Sequence, residues 1–154
     1  MKLTTLCYVE KDNKYLMLHR VKKENDFNHD KWIGVGGKFE ADETPEECLI
    51  REVKEETGLT LTKYSLRGII TFISDEWDTE YMYLYTASEY IGEIIECNEG
   101  DLIWVPKAEV MELKLWEGDK VFLKLLDETR DFFSLKLRYE GEVLVENKVV
   151  VYKK

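Results

Sequence analysis

The sequence predicts one domain of the α/β (α+β) class that spans residues 1–154. Short apolar runs rich in β-branched and aromatic residues recur along the chain with turn residues between them, which is the pattern of strands. Two segments have helical patterning instead, and one of them carries a full set of helix-start and helix-end residues. Of the 154 residues, 44% are hydrophobic and only 2 are proline, so the chain can build one core and shows no linker.

The predicted strands are separated by turns and polar loops. We expect them at residues 3–9, 15–20, 66–74, 81–88, 102–105, 133–139 and 143–152. Asp12 and Asn13 provide a turn between the first two strands, which therefore form a hairpin. The polar segment 21–31 is expected to be an exposed loop, and the polar triplet 146–148 predicts a hairpin tip inside the last run.

The best-defined element is a helix that begins after Thr44 and ends before Gly58. Thr44 is a favourable N-cap, Pro45 suits the first helical position, and Glu47 completes a capping box with Thr44. Gly58 can adopt the left-handed conformation that commonly ends a helix. A second helix is predicted at residues 120–127.

Three glutamates gather on one face of the first helix. At about 100° per residue, Glu52, Glu55 and Glu56 lie within an arc of about 100°. The neighbouring arc, which we expect to pack on the core, contains Leu49, Ile50, Val53 and Thr57. Like charges at this spacing repel each other, and a hard divalent cation such as Mg²⁺ would neutralise them. The alternative is a solvated acidic face, which is common in acidic chains.

Two neighbouring features favour the metal site over a solvated face. Arg51 directly precedes the three glutamates and can hold one carboxylate in orientation. The loop Gly36-Gly37-Lys38 lies just upstream, so its flexible backbone and its single cation can approach the same helix face.

Charge and cysteine content limit the partners and the compartment. Lys and Arg total 22 and Asp and Glu total 32, so the net charge is 22 − 32 = −10. This balance disfavours polynucleotide binding, and an anionic substrate would need a metal ion or a local cluster of Lys and Arg. The 3 cysteines are odd in number and form no CxxC pair, which favours a reducing cytoplasm. No segment approaches the roughly 20 apolar residues of a membrane span.

Residues 37–59 resemble the Nudix box, Gly-x5-Glu-x7-Arg-Glu-U-x-Glu-Glu-x-Gly-U, where U is a bulky apolar residue. Every fixed position is filled, by Gly37, Glu43, Arg51, Glu52, Val53, Glu55, Glu56, Gly58 and Leu59. The resemblance implies the Nudix fold, a mixed sheet sandwiched between helices with the box as a loop-helix-loop. It also implies hydrolysis of a nucleoside diphosphate linked to another group, with Mg²⁺ as cofactor or Mn²⁺ as its substitute.

The resemblance also assigns roles to single residues. The metal ligands that it implies are the Gly36 carbonyl and the carboxylates of Glu52, Glu55, Glu56 and Glu99. Arg51 is expected to orient the box together with Glu43. The metal would lower the pKa of a bound water, and Glu55, Glu56 and Glu99 all remain candidates for the general base. An ordinary turn glutamate is the alternative for Glu99.

Further similarity points to the oxidised-purine nucleoside triphosphatases, the 8-oxo-dGTP diphosphatase branch. It lies in the approach to the box, 32–38, in the Trp-x-x-Asp segment 116–119, and in the ending 132–152. The substrate-binding residues that it implies are Lys23, Ile33, Gly37, Lys38, Trp116 and Asp119.

Alternatives remain open for several of these substrate contacts. Lys23 can be a solvated loop charge, Trp116 can be core, and Asp119 can be the N-cap of the second helix. Ile33 departs from the asparagine of that branch and cannot supply the hydrogen bonds of an amide.

The resulting prediction is a cytoplasmic Nudix hydrolase of small nucleotides. It would cleave nucleoside triphosphates, with oxidised purines such as 8-oxo-dGTP foremost, to monophosphate and pyrophosphate. The alternatives are another nucleoside diphosphate derivative, namely a dinucleoside polyphosphate, a nucleotide sugar, a pyrimidine triphosphate or a capped RNA end, or a Nudix module that senses a nucleotide without cleaving it. The sequence leaves monomer and homodimer equally open.

Overall fold

The computed structural model describes all residues, 1–154. It contains an eight-stranded sheet, two α-helices and a short 3-10 helix at Lys107–Glu112. The strands are β1 (Lys2–Lys11), β2 (Lys14–His19), β3 (Trp32–Ile33), β4 (Thr60–Ser74), β5 (Glu80–Ile91), β6 (Asp101–Pro106), β7 (Phe132–Glu140) and β8 (Val143–Tyr152). The helices are α1 (Pro45–Thr57) and α2 (Glu117–Glu128).

The sheet is mixed, and its strand order is β3-β2-β1-β5-β4-β7-β8. Strand β6 pairs with the edge of β2 that faces away from β1 and β3. The pairs β1–β5 and β4–β7 are parallel, and the other pairs are antiparallel. β1 changes partner along its length, because residues 2–9 pair with β5 while Glu10 and Lys11 pair with β2. This change leaves one edge of the first half of β1 free for another segment.

The two helices cover opposite faces of the sheet. Neighbouring side chains on a strand point to opposite faces. Tyr8 packs in the cluster that contains Phe122 of α2, whereas Cys7 and Val9 pack in the cluster that contains Val53 of α1. The predicted sheet between helices is therefore confirmed.

Helix α1 has the predicted start and end. The Glu47 N–H donates to the Thr44 hydroxyl at 3.1 Å, and the Glu47 carboxylate accepts from the Thr44 N–H at 2.9 Å. Gly58 has φ = 83° and ends the helix. No helix of the chain combines the length and the apolar character needed to cross a bilayer.

Three sequence predictions of local structure are wrong. The hairpin tip is not at residues 146–148: β8 is continuous, and the turn from β7 lies at Gly141, whose φ is 59°. The polar triplet sits in an exposed edge strand, where polar residues are tolerated on both faces. Helix α2 begins at Glu117, three residues before the predicted start, and β4 begins at Thr60, so both elements are longer than expected.

Candidate active site

One cavity of about 630 Å³ contacts nearly every residue that the sequence analysis singled out. Its lining includes the predicted residues Lys23, Ile33, Gly36, Gly37, Lys38, Glu52, Glu55, Glu56, Glu99, Trp116 and Asp119. Arg51 does not line it. The structure thus brings the acidic helix face, the glycine loop and the Trp-x-x-Asp segment to one place, although they are far apart in sequence.

The glycine loop occupies the free edge of β1. The Thr5 N–H donates to the Gly37 carbonyl at 2.9 Å, and Cys7 and Val35 exchange two backbone hydrogen bonds. A side chain at Gly36 would place its Cβ 2.1 Å from the Thr5 carbonyl oxygen, and the φ of Gly36 is 146°. Only glycine therefore permits this close approach of two backbones.

Arg51 holds the loop and the helix together from behind the cavity. Its guanidinium donates to both carboxylate oxygens of Glu43, at 2.7 and 2.9 Å, and to the Lys38 carbonyl at 3.0 Å. The same side chain contacts Glu52 at 2.9 Å and Glu55 at 3.2 Å. The Arg51 guanidinium and the Glu40 N–H lower the pKa of Glu43 to about 2. Arg51 therefore fixes the orientation of two carboxylates that face the cavity.

Glu56 and Glu99 form a second acidic group in the same cavity. The Gly36 N–H donates to Glu56 at 2.7 Å. Burial and the neighbouring carboxyl of Glu99 raise the pKa of Glu56 well above its usual range. Glu99 has one buried carboxylate oxygen with no hydrogen-bond partner, and its nearest cation is Arg20 at 3.4 Å. Two partly buried carboxyl groups that face each other need a proton or a cation between them.

These residues fit a hard divalent cation in their chemistry. The donors that line the cavity are carboxylate oxygens, which Mg²⁺ prefers, and one of them on Glu99 lacks a partner. In the structure no three Asp, Glu, His or Cys side chains converge into a preformed metal cluster. Glu52 and Glu55 are instead turned toward Arg51. The metal-ligand roles of Gly36, Glu52, Glu55, Glu56 and Glu99 therefore stay predictions.

Trp116 forms part of both the core and the cavity wall. It is 6% exposed, its ring stacks on Phe27 with centroids 4.9 Å apart, and Lys31 lies 4.7 Å from the ring centroid. Its indole N–H donates to the side-chain oxygen of Asn28 at 2.8 Å. The orientation of the ring is thus fixed, and Phe27 adds a second aromatic surface to the same cavity.

Asp119 lies in the first turn of α2 and lines the cavity. The alternative of an N-cap is wrong, because Trp116 occupies that position and no side chain caps the helix. Burial raises the pKa of Asp119 to about 8, and Lys31 only partly opposes the rise. A protonated carboxyl both donates and accepts hydrogen bonds, which suits the edge of a nucleobase. Ile33 presents an apolar surface to the same cavity.

Some residues at the site escaped the sequence analysis. Arg20 lines the cavity and forms two hydrogen bonds with Asp26, at 2.7 and 2.9 Å, which order the polar loop. Asn28 orients Trp116 from that same loop. Neither residue belongs to a motif, and only the fold of the segment 20–31 places them at the cavity. Lys23, from the same loop, has a side chain that is 57% exposed.

Comparisons with known proteins agree on one family. A model of the NUDIX domain matches residues 2–126. The chain is 31% identical to the uncharacterized Nudix hydrolase YvcI of Bacillus subtilis, over 77% of this chain and 75% of that one. It is 29% identical to the oxidized purine nucleoside triphosphate hydrolase of Danio rerio, over 96% and 94% of the two chains. The crystal structure of a Mutator MutT protein from Bacillus halodurans is similar with a TM-score of 0.86 at 30% identity and covers 97% of both chains.

Proposed function

This chain belongs to the Nudix hydrolase family, whose members act on phosphoanhydrides of small nucleotides and generally use divalent metals, and from that premise we propose that it is a Mg²⁺-dependent nucleoside triphosphate pyrophosphohydrolase. The proposed substrates are oxidised purine nucleotides such as 8-oxo-dGTP, and the products are the monophosphate and pyrophosphate. We also propose that residues 1–154 act as a single domain in the cytoplasm.

The main support is that one cavity holds both an acidic group and an aromatic recess. Glu52, Glu55, Glu56 and Glu99 can hold Mg²⁺ against a phosphate chain, while the stacked pair of Trp116 and Phe27 forms an aromatic wall against which a base can pack. The relative from Danio rerio, which aligns over 96% of this chain, is named for oxidized purine nucleoside triphosphates. A triphosphate nucleotide needs both halves of such a cavity.

The protein side of the reaction follows from these residues. When bound, Mg²⁺ would offset phosphate charge and lower the pKa of a water molecule. Arg51 would keep the carboxylates of Glu52 and Glu55 oriented, and Lys23 and Lys38 would contact the phosphates. A carboxylate among Glu55, Glu56 and Glu99 would accept the proton of the water. The water oxygen then bonds to phosphorus at the α–β bridge while the bridging P–O bond breaks.

The apolar Ile33 supports a broader purine specificity as a second candidate. An isoleucine packs against a base but forms no hydrogen bond with its edge. Asp119 would then be the principal polar contact in the recess. We therefore expect comparable kcat/KM values for oxidised and unoxidised purine triphosphates. Ile33→Asn should change the ratio of these two kcat/KM values.

Turnover of a nucleotide panel tests the proposal. Purified protein is incubated with oxidised and ordinary purine triphosphates, pyrimidine triphosphates, ADP-ribose and a dinucleoside polyphosphate, and the products are separated by chromatography. We expect pyrophosphate release with Mg²⁺ and none with EDTA. Glu56→Gln should lower kcat by at least about 10²-fold, whereas the exposed control Glu112→Gln should not change it. Turnover that persists in EDTA, or an active Glu56→Gln variant, would contradict the mechanism.

A further inference from the structure

The last strand, β8, leaves one edge of the sheet unpaired. It lies at the end of the strand order, and only β7 pairs with it. Over its 10 residues only Leu144 and Val151 are half-buried, and the others are exposed. The exposed set is mostly apolar, namely Val143, Val145, Val149, Val150 and Tyr152, with Glu146, Asn147 and Lys148 at the centre. A long apolar edge of this kind is a template for another strand.

The sequence of β8 is nearly symmetric about Asn147. Val143-Leu144-Val145-Glu146 precedes Asn147, and Lys148-Val149-Val150-Val151 follows it. When two copies of the strand pair antiparallel with Asn147 at the centre, each residue faces the one equally far from the centre on the other copy. Glu146 then lies opposite the partner's Lys148, and this ion pair occurs twice. The flanking pairs are all apolar.

Within one chain, Lys148 has no carboxylate partner. Lys148 lies directly opposite Lys136 of β7, and no carboxylate lies within 4.0 Å of it to form an ion pair. Glu146, in contrast, contacts Arg138 at 3.1 Å and Lys136 at 3.6 Å. Like charges opposite each other on neighbouring strands are unfavourable. A second copy of the strand supplies the carboxylate that Lys148 lacks, on the side where the sheet is open.

A lysine on an edge strand also restricts the occupant. Edge lysines normally prevent pairing with other strands, because a buried or unpaired ammonium group is costly. Only a strand that presents an acidic residue opposite Lys148 relieves this cost, and β8 itself does so. The register shift between β7 and β8 lies at Val145, so the regular part of the strand, 146–152, contains the charged centre.

The two faces of the sheet also match in this pairing. Val149 lies beside Leu135 and Val151 beside Phe133, and both of these β7 side chains are fully buried, so Val149 and Val151 belong to the core face. Antiparallel pairing about a central residue keeps the core faces of both copies on the same side of the joint sheet. The register shift at Val145 interrupts the alternation of faces, so the faces of the two copies match over the central residues Glu146, Asn147 and Lys148.

We propose that this chain forms a two-fold symmetric dimer in which two β8 strands pair antiparallel about Asn147 and join the sheets of both copies. The surface is isologous, since each copy contributes the same residues.

Charge reversal tests the pairing. Lys148→Glu places a carboxylate opposite Lys136 within the chain, so the fold keeps its stability, but it places Glu146 opposite a second glutamate across the dimer. Sedimentation velocity over a range of concentrations should give a dimer for the natural chain. The dissociation constant of Lys148→Glu should rise at least about tenfold. The matched control Lys11→Glu, at the far end of β1, should dimerise like the natural chain.

A mixture of two variants makes the test independent of folding defects. Glu146→Lys alone places lysine opposite lysine across the dimer and should also be monomeric. In an equal mixture of Glu146→Lys and Lys148→Glu, each glutamate again faces a lysine, so heterodimers should form. Restored dimers would support the pairing. A natural chain that stays monomeric, a Lys148→Glu variant that dimerises unchanged, or a mixture without heterodimers would overturn it.

Discussion

At Gly37 the missing side chain leaves room for the carboxylate of Glu52. A Cβ built there would lie 2.4 Å from the Glu52 carboxyl carbon. The obstacle is the end of a flexible side chain, so the chain can relieve the clash by rotating Glu52 away. The glycine therefore serves the position of the carboxylate more than the stability of the fold.

The position of Gly37 beside the Glu52 carboxylate gives a prediction for Gly37→Ala. We expect the free energy of unfolding to fall by no more than about 1 kcal/mol, because only one carboxylate side chain moves. The Mg²⁺ concentration for half-maximal turnover should rise and kcat should fall by about tenfold or more. Urea unfolding and Mg²⁺ titration of the rate measure the two effects.

Gly141→Ala is a suitable control for that variant. Gly141 has φ = 59° and nothing lies within 4 Å of the position that an added methyl group would take, so the substitution costs backbone strain far from the cavity. It should lower stability and leave the Mg²⁺ dependence unchanged. If Gly37→Ala bound Mg²⁺ and turned over like the natural chain, Glu52 would have no part in holding the metal.

Single residues also show what the sequence can and cannot reveal. Glu52, Glu55 and Glu56 are recognisable because helical spacing places them on one face, and local spacing is readable from sequence. Arg20 and Asn28 reach the cavity through the path of the segment 20–31, and no local pattern records that path. The partial exposure of Glu99 could not be predicted for the same reason.

At the scale of elements, the first turn of α2 shows burial overriding the helix dipole. Glu117 and Asp119 both lie in this turn, where the positive end of the helix favours carboxylates. Glu117 is exposed, whereas burial raises the pKa of Asp119 to about 8. The cost of removing Asp119 from water is therefore larger than the favourable effect of the dipole.

The raised pKa of Asp119 predicts a pH-dependent cost in stability. In the unfolded chain the group has a pKa of about 3.9, so between about pH 4 and about pH 8 it ionises on unfolding. Protonated Asp119 thus favours the fold below about pH 4, and this advantage is lost as the pH rises toward 8. The loss is at most about 1.4 kcal/mol per pH unit.

Asp119→Asn removes this titration. The stability of the variant relative to the natural chain should therefore increase from about pH 5 to about pH 7.5, and urea unfolding at both values measures it. Glu117→Gln, the exposed neighbour, should show no such trend. A difference for Asp119→Asn that stays constant with pH would mean that the group is already ionised in the fold.

Elements were predictable where the signal is local. The capping box and Gly58 defined α1, and Asp12-Asn13 defined the first hairpin; both residues of that turn have positive φ, 50° and 61°. The end of the β7–β8 hairpin was misplaced because a polar triplet looks like a turn, whereas the actual turn depends on Gly141. The role of an exposed edge strand depends on its neighbours, which the sequence does not give.

At the scale of the whole molecule, the arrangement of the sheet was beyond prediction from residues alone. The parallel β1–β5 pair joins segments about half the chain apart, and at Glu10 the partner of β1 changes to the neighbouring strand β2. This change opens the edge on which the glycine loop lies, beside α1. Only the resemblance to the Nudix box predicted that arrangement, since spacing within the box cannot specify the strands around it.

The charge of the whole molecule, −10, is partly concentrated at this cavity. The fold holds Glu52, Glu55, Glu56 and Glu99 near one another, so part of its stability is lost to repulsion and burial of charge. A ligand that binds only the folded state at 100 times its dissociation constant adds about 2.7 kcal/mol to the free energy of unfolding. Mg²⁺ with a non-hydrolysable triphosphate should therefore raise the melting temperature by several degrees, and EDTA should abolish the rise.

Glu56→Gln should keep or raise the melting temperature of the metal-free protein and should weaken the stabilisation by Mg²⁺ and nucleotide. Without metal it should melt at the same temperature as the natural chain or higher, because a neutral amide replaces a buried acid that faces Glu99. With Mg²⁺ and the nucleotide analogue its melting temperature should rise less than that of the natural chain. Differential scanning calorimetry of both proteins, with and without the ligands, provides the comparison. Equal increases in both would show that the metal does not bind where Glu56 and Glu99 meet. The destabilising proximity of these two carboxyl groups would then not be explained by metal binding.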